Sequence, residues 1–169
     1  MEEPRRFIAD SMLGKLAKWL RILGFDVAYE RFIEDQDLVR RAKLEQRYIL
    51  TRDRRLAQRR WSGPIQFMIV QDDHWPGQLR QIIQELKPPP TSLLLTRCIR
   101  CNVPLTSFGR KEAEGRVPPY VYRTQKRFLE CPRCRRVYWR GTHQKRILRR
   151  LKTVFAQDPS GQHKVRRSQ

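Results

Sequence analysis

Four cysteines stand in two short pairs, Cys98-Ile-Arg-Cys101 and Cys131-Pro-Arg-Cys134, with 29 residues between the pairs. Two thiolates three positions apart can turn toward one cation, and a second such pair completes the tetrahedral all-cysteine set that Zn2+ accepts. Four sulfur ligands leave no open position for a water, so a zinc ion held by Cys98, Cys101, Cys131 and Cys134 is expected to organise structure and not to catalyse. A single pair could equally be a redox dithiol, and buried unpaired cysteines are a further alternative. Two pairs in a weakly apolar segment favour the metal, and metal thiolates suit a reducing compartment better than disulfides would. His143 lies near the second pair, but the quartet is already complete; His74, beside a turn, and His163, in the tail, are not expected ligands either.

Cations crowd the same region. Arg97, Arg100, Arg133, Arg135, Arg136 and Arg140 flank the cysteines, and their guanidinium groups can meet phosphates in forked geometry while offsetting thiolate charge. Tyr138 and Trp139 are candidates for stacking on bases, with packing of a minimal core as the plainer alternative. The whole chain carries 37 Lys and Arg against 17 Asp and Glu, a formal charge of +20. Residues 1–90 contribute 17 basic and 13 acidic side chains, residues 91–169 contribute 20 and 4. The second half is the polyanion-facing half, and nucleic acid is the expected partner.

A second group of candidates is acidic. Asp10, Asp53 and the pair Asp72 and Asp73 each follow a candidate strand, and Asp37 opens a candidate helix. In a parallel α/β domain catalytic groups gather at the carboxyl ends of the strands, so these residues can converge although they are far apart in sequence. Close carboxylates repel; Mg2+ or Mn2+ would offset that repulsion, polarise a phosphodiester and activate water. The bland alternative makes Asp10 and Asp37 helix caps and leaves Asp53, Asp72 and Asp73 as solvated loop residues. Asp35 and Glu45 are weaker additions to the group.

The elements that must position these groups follow from periodicity. Strands are expected at Arg6–Ala9, Phe25–Tyr29, Tyr48–Leu50 and Ile65–Val70. Between the first two, Leu13, Leu16, Leu20 and Leu23 recur at spacings of three and four, with Trp19 and Ile22 widening the stripe and Lys15, Lys18 and Arg21 on the other side. That is an amphipathic helix capped by Asp10 or Ser11 and ended by Gly24. Helices are also expected from about Asp37 to Gln46, briefly around Leu56, and through Leu79, Ile82, Ile83 and Leu86. The order implies a small, mostly parallel α/β domain. Pro88, Pro89 and Pro90 forbid helix continuation and mark a boundary. Beyond it, Val121 and Tyr122 are expected as a short strand, Phe128–Leu129 enters the second knuckle and Val137–Trp139 leaves it. The end is Lys/Arg-rich, with helical periodicity in Ile147, Leu148 and Leu151.

The segments Arg6-Phe-Ile-Ala-Asp10 through Gly24-Phe-Asp26 and Tyr48-Ile-Leu-Thr-Arg-Asp53-Arg-Arg-Leu56 resemble the PIN-like nuclease domain first recognised at the C-terminus of the Mut-seven exonuclease. Asp37-Leu38-Val39 matches that family's acid before a Leu-containing helix, and the pattern commonly continues into a two-knuckle zinc ribbon; the resemblance spans roughly residues 6–140. It implies a PIN-like fold and a metal-dependent ribonuclease carried by Asp10, Asp37 and Asp53, with Asp72 or Asp73 as a fourth acid. After the fourth strand the chain reads Gln71-Asp72-Asp73-His74-Trp75-Pro76, bulkier than the family's small polar residues there.

The expected organisation is an α/β PIN-like domain over 1–87, a linker over 88–96, a four-cysteine zinc ribbon over 97–142 and a basic extension over 143–169. The expected function is hydrolysis of RNA phosphodiesters with Mg2+ or Mn2+; the alternative is a non-catalytic RNA-binding or ribosome-associated protein on the same scaffold. No apolar run approaches the roughly 18 residues of a membrane span, and no signal-like segment follows Met1, so a soluble cytoplasmic protein is expected.

Overall fold

The computed structural model describes residues 5–86 and 93–156, His143 by its backbone alone. Residues up to Trp139 form one compact unit and Arg140 onward a second. The expected boundary at Pro88–Pro90 lies outside the described residues, as do the tail from 157 and His163.

The first half alternates strand and helix: β1 (Phe7–Ala9), α1 (Gly14–Ile22), β2 (Val27–Tyr29), α2 (Asp35–Leu44), β3 (Tyr48–Thr51), α3 (Arg54–Gln58), β4 (Phe67–Ile69) and α4 (Trp75–Leu86). The strands form one parallel sheet in the order β2-β1-β3-β4. Because the chain steps from β1 to β2 and then crosses back past β1 to β3, right-handed crossovers put α1 and α2 on opposite faces. The register fixes which side chains share a face. Ile8 lies level with Ala28 and Ile49, and these three form one core with Leu38, Val39 and Ala42 of α2 and Leu56 of α3. Phe7, Ala9, Val27 and Leu50 alternate with that row and are also buried, which is why the strands read as continuous apolar runs. On their side α1 buries Leu16, Ala17 and Leu20, each leucine worth about 2 kcal/mol in area removed from water. Trp19 of α1 stacks on Trp75 of α4, centroids 4.6 Å apart and planes at 7°.

Two expectations are corrected in this half. Arg21 does not lie on a solvent side of α1 but is 6% exposed, because its guanidinium leaves the helix to bond carbonyls of two other segments. Asp37 is not the first residue of its helix; α2 starts at Asp35, with Glu34 in the cap position making no side-chain cap bond. Gly24 ends α1 as expected, at φ 97°, where a side chain would also run into Leu93.

The second half of the first unit contains an antiparallel sheet in the order β5-β6-β7, formed by Thr106–Phe108, Phe128–Glu130 and Val137–Trp139. Val121 and Tyr122 are helical, not a strand: they lie in α5 (Pro119–Thr124), which begins with proline at its first position. The helical turn carries Val121 inward against Ala113, Val117 and Phe128. In the second unit, α6 (Thr142–Ala156) buries Ile147, Leu151 and Val154 at spacings of four and three. Among the described residues no helix is long and apolar enough to cross a membrane.

Candidate functional site

The two knuckles are built alike. Cys98 N–H donates to the Val103 carbonyl (2.9 Å) and Asn102 N–H to the Cys98 carbonyl (2.9 Å); Cys131 N–H donates to Arg136 (3.0 Å) and Arg135 N–H to Cys131 (2.9 Å). Within each pair the second cysteine's N–H points at the first sulfur, Cys101 to Cys98 at 3.3 Å and Cys134 to Cys131 at 3.4 Å. Closing each turn requires a left-handed residue four places after the first cysteine. Asn102 supplies it at φ 67° and Arg135 at φ 59°.

The four Sγ atoms lie within 4.8 Å of one another, and among the described residues this is the group whose atoms could hold a metal ion. Cys98 and Cys134 are 3.7 Å apart, close to the edge of about 3.8 Å that a tetrahedron with Zn–S bonds of about 2.3 Å requires. Burial raises the Cys98 thiol, but a hydrogen bond from the Tyr138 hydroxyl (3.2 Å) and backbone donors at Cys101 and Arg100 outweigh it and bring the group down to about 7. Cys101 is pushed up to about 12 by burial, by its hydrogen bond with Cys134 and by the Cys98 charge.

The first knuckle is clasped to the parallel sheet. Arg21 Nε donates to the Val27 carbonyl (2.8 Å) while its Nη1 donates to Ile99 (2.9 Å) and Arg100 (3.0 Å). Asn102 Oδ1 accepts from Val27 N–H (3.0 Å) and its Nδ2 donates to Asp26 (2.7 Å). The outer edge of β2, an unpaired strand edge, is thereby satisfied by the knuckle instead of by a further strand.

Four of the acids, Asp10, Asp53, Asp72 and Asp73, follow the carboxyl ends of strands of the parallel sheet. Asp10, 7% exposed, follows β1, and Asp53 follows β3, its neighbour in the sheet. Thr51, fully buried at the end of β3, joins them: its hydroxyl donates to Asp10 Oδ2 (2.7 Å) and accepts from Asp53 N–H (3.0 Å). The other Asp10 oxygen accepts from the Ser11 hydroxyl at 3.1 Å. Asp10 stands at the N-cap of a 3-10 turn, Ser11–Leu13, without a side-chain cap bond; Asp53 makes one, its Oδ1 accepting from Arg55 (2.7 Å) and Leu56 (3.2 Å) N–H groups of α3, which leaves Oδ2 without a donor among the described residues. Asp37 is exposed and pairs with Arg40 at 2.7 Å, one turn along α2. Asp72 accepts from His74 N–H (2.8 Å), and Asp73 is ion-paired to Arg52. Asp35 faces Arg59 at 3.8 Å, and Glu45 is held by Arg41 and Arg47.

The residues expected to meet nucleic acid divide into two groups. Arg97 is spent internally, on the Gly24 and Asn102 carbonyls and Asp26, and Arg135 pairs with Glu130 at 2.8 Å. The Tyr138 hydroxyl bonds the Cys98 sulfur. Arg100, Arg133, Arg136, Trp139 and Arg140 are exposed. Thr51, Arg21 and Asn102 carry more of the architecture than their types announced; Thr51 stood in the Leu-Thr-Arg-Asp run, while a helix arginine that leaves its helix gives no periodic signal.

A parallel α/β domain with acids on one edge, joined to a module whose four cysteines are placed to hold a metal ion, has the layout of a PIN-like nuclease. A family model described as the Mut7-C RNAse domain matches residues 5–151, and the chain belongs to that family. No curated protein and no solved structure matches the chain.

Proposed function

We infer that this protein is an RNA-binding, divalent-metal-dependent ribonuclease whose Asp10 and Asp53 carry the reaction and whose cysteine quartet holds a structural Zn2+. Support comes from one observation above the others: Asp10 and Asp53 follow adjacent central strands, and the Thr51 hydroxyl bridges the Asp10 carboxylate to the Asp53 backbone N–H. When bound there, Mg2+ or Mn2+ would polarise the scissile phosphodiester and lower the pKa of an attacking water. The chain's own part is orientation. Thr51 and Ser11 fix both oxygens of Asp10, and the α3 cap fixes one oxygen of Asp53, so that the other would be available to a cation. Asp37 and either Asp72 or Asp73 complete the acidic edge.

Asparagine caps a helix about as well as aspartate, so Asp53→Asn removes charge with little effect on α3. Single-stranded and structured RNAs incubated with the full chain and Mn2+ are expected to be cleaved, with Asp10→Asn and Asp53→Asn each slowing cleavage at least about a hundredfold. Equal cleavage by the variants sinks the assignment. A second reading, a non-catalytic RNA-binding or ribosome-associated protein, is favoured by the arginines that engage Asp37 and Asp73; salt-sensitive RNA binding with no metal-dependent turnover would select it.

A further inference from the structure

A groove of about 750 Å3 opens where the metal knuckles meet the β2 edge of the parallel sheet. Six guanidinium groups line it, from Arg21, Arg41, Arg47, Arg97, Arg100 and Arg133, against the two carboxylates of Asp26 and Glu30. Four of the six are engaged. Arg21 and Arg97 clasp the knuckle, Arg47 bonds Asp26, and Arg41 bonds Glu45 and faces Glu30 at 3.8 Å. Arg100 and Arg133 are exposed and have no ion pair or side-chain hydrogen bond among the described residues.

These two occupy the same place in their knuckles, immediately before the second cysteine, and the pairing of the knuckles about one metal brings both to one groove. Without a ligand, two unpaired arginines beside four others repel one another; an anion relieves that repulsion, and the fork of the guanidinium group suits phosphate oxygens. The groove also leads somewhere. Tyr29, at the end of β2, lines it, and the Tyr29 hydroxyl donates to the Ser11 carbonyl (2.9 Å), the residue after Asp10. An anion chain lying in the groove runs from the knuckles toward the acidic edge.

We propose that this groove seats the phosphodiester backbone of single-stranded RNA, with Arg100 and Arg133 as its phosphate contacts and Glu30 as a repulsive element beside them. This rests on the reading that the substrate is RNA, not on the reading that the protein cleaves it.

The test measures binding of a fluorescent 12-nucleotide uridine RNA to the zinc-loaded full chain by anisotropy, without added Mg2+ or Mn2+, across a salt series. Arg100→Gln with Arg133→Gln is expected to weaken binding about tenfold at moderate salt and to lower the log–log salt slope by about 1.4, two contacts at about 0.7 each for single strands. Arg100→Lys with Arg133→Lys should restore most of the slope. Glu30→Gln should tighten binding, an opposite sign that a folding defect would not produce. Arg135→Gln, whose guanidinium pairs with Glu130, should leave the slope unchanged. Unaltered affinity and slope in the double glutamine variant would overturn the proposal, as would uridine monophosphate binding as tightly as the oligomer. Cleavage at wild-type rate by a variant that binds normally removes the groove and leaves the ribonuclease reading. Loss of binding in a protein that never cleaves does the reverse.

Discussion

Asp26 is a carboxylate shared between the parallel sheet and the cysteine module. Burial alone would raise its pKa, but hydrogen bonds from Arg47 (2.6 Å) and Asn102 (2.7 Å), with the charges of Arg47 and Arg97 behind them, hold it below the usual carboxylate range. A carboxyl whose pKa is lower folded than unfolded binds more protons in the unfolded state. Its stabilising contribution is complete above the unfolded value of about 3.9 and is lost as pH falls from there through the folded value. The urea midpoint is therefore expected to drop between pH 5 and pH 3. In Asp26→Asn the protein should be less stable at pH 7, by about 1.5–3 kcal/mol for hydrogen bonds to a charged group, and should lose less on acidification. Some acid sensitivity will persist, because Glu45 and Glu130 are also held low by arginines. An unchanged pH profile in the variant would remove Asp26 from the account.

At the scale of elements, α4 shows how a glycine can be set by a carboxylate. Gly77 lies in the first turn of α4, and a Cβ there would overlap the carboxylate of Asp72, which is held against the helix by the His74 N–H while Gln78 bonds the Asp72 carbonyl at 3.0 Å. In an open helix Gly→Ala stabilises by about 1 kcal/mol; overpacking a filled site costs about 1–3 kcal/mol, and here it should win. Gly77→Ala is expected to lower Tm by several degrees, and in an Asp72→Ala background to become neutral or stabilising. Stabilisation in the otherwise native chain would show that Asp72 is not held there. The elements also show what the sequence made legible. The parallel sheet was legible because each strand is a short apolar run followed by an acid or a cap, and α1 because its leucines keep a helical period. Val121 and Tyr122 were not, since two apolar residues fit either period and only Pro118-Pro119 before them marks a helix start. The cysteine quartet was legible from its spacing. Arg135 at φ 59° was not, because nothing in an arginine announces that conformation. Arg21 was misplaced because periodicity reports which way a residue leaves its helix, not which edge strand waits there.

For the whole molecule, metal, sheet edge and charge are one problem. Val27 N–H donates to Asn102 of the first knuckle, whereas Ile49 N–H donates to Gln66 within the sheet layer at 2.8 Å. Stripping the metal with a chelator is expected to speed hydrogen exchange at Val27 while Ile49 stays protected; continued protection of Val27 would mean that the knuckle keeps its shape without metal. The last prediction concerns the second unit. Residues 140–169 hold nine Lys and Arg and one Asp, so ending the chain at Trp139 takes the formal charge from +20 to +12 while leaving the sheet, the knuckles and Arg100 and Arg133 in place. Each cation brought to a phosphate of a single strand contributes about 0.7 to the log–log salt slope. If the second unit supplies part of the nonspecific affinity, the shortened chain will bind RNA more weakly at low salt and with a shallower slope. The slope that remains should then be the part that Arg100→Gln with Arg133→Gln removes. Because the acids all precede Trp139, metal-dependent cleavage at saturating RNA should survive the truncation, so the loss would fall on KM and not on kcat. An undiminished slope in the shortened chain would confine the phosphate contacts to the first unit and leave the basic extension no part in holding RNA.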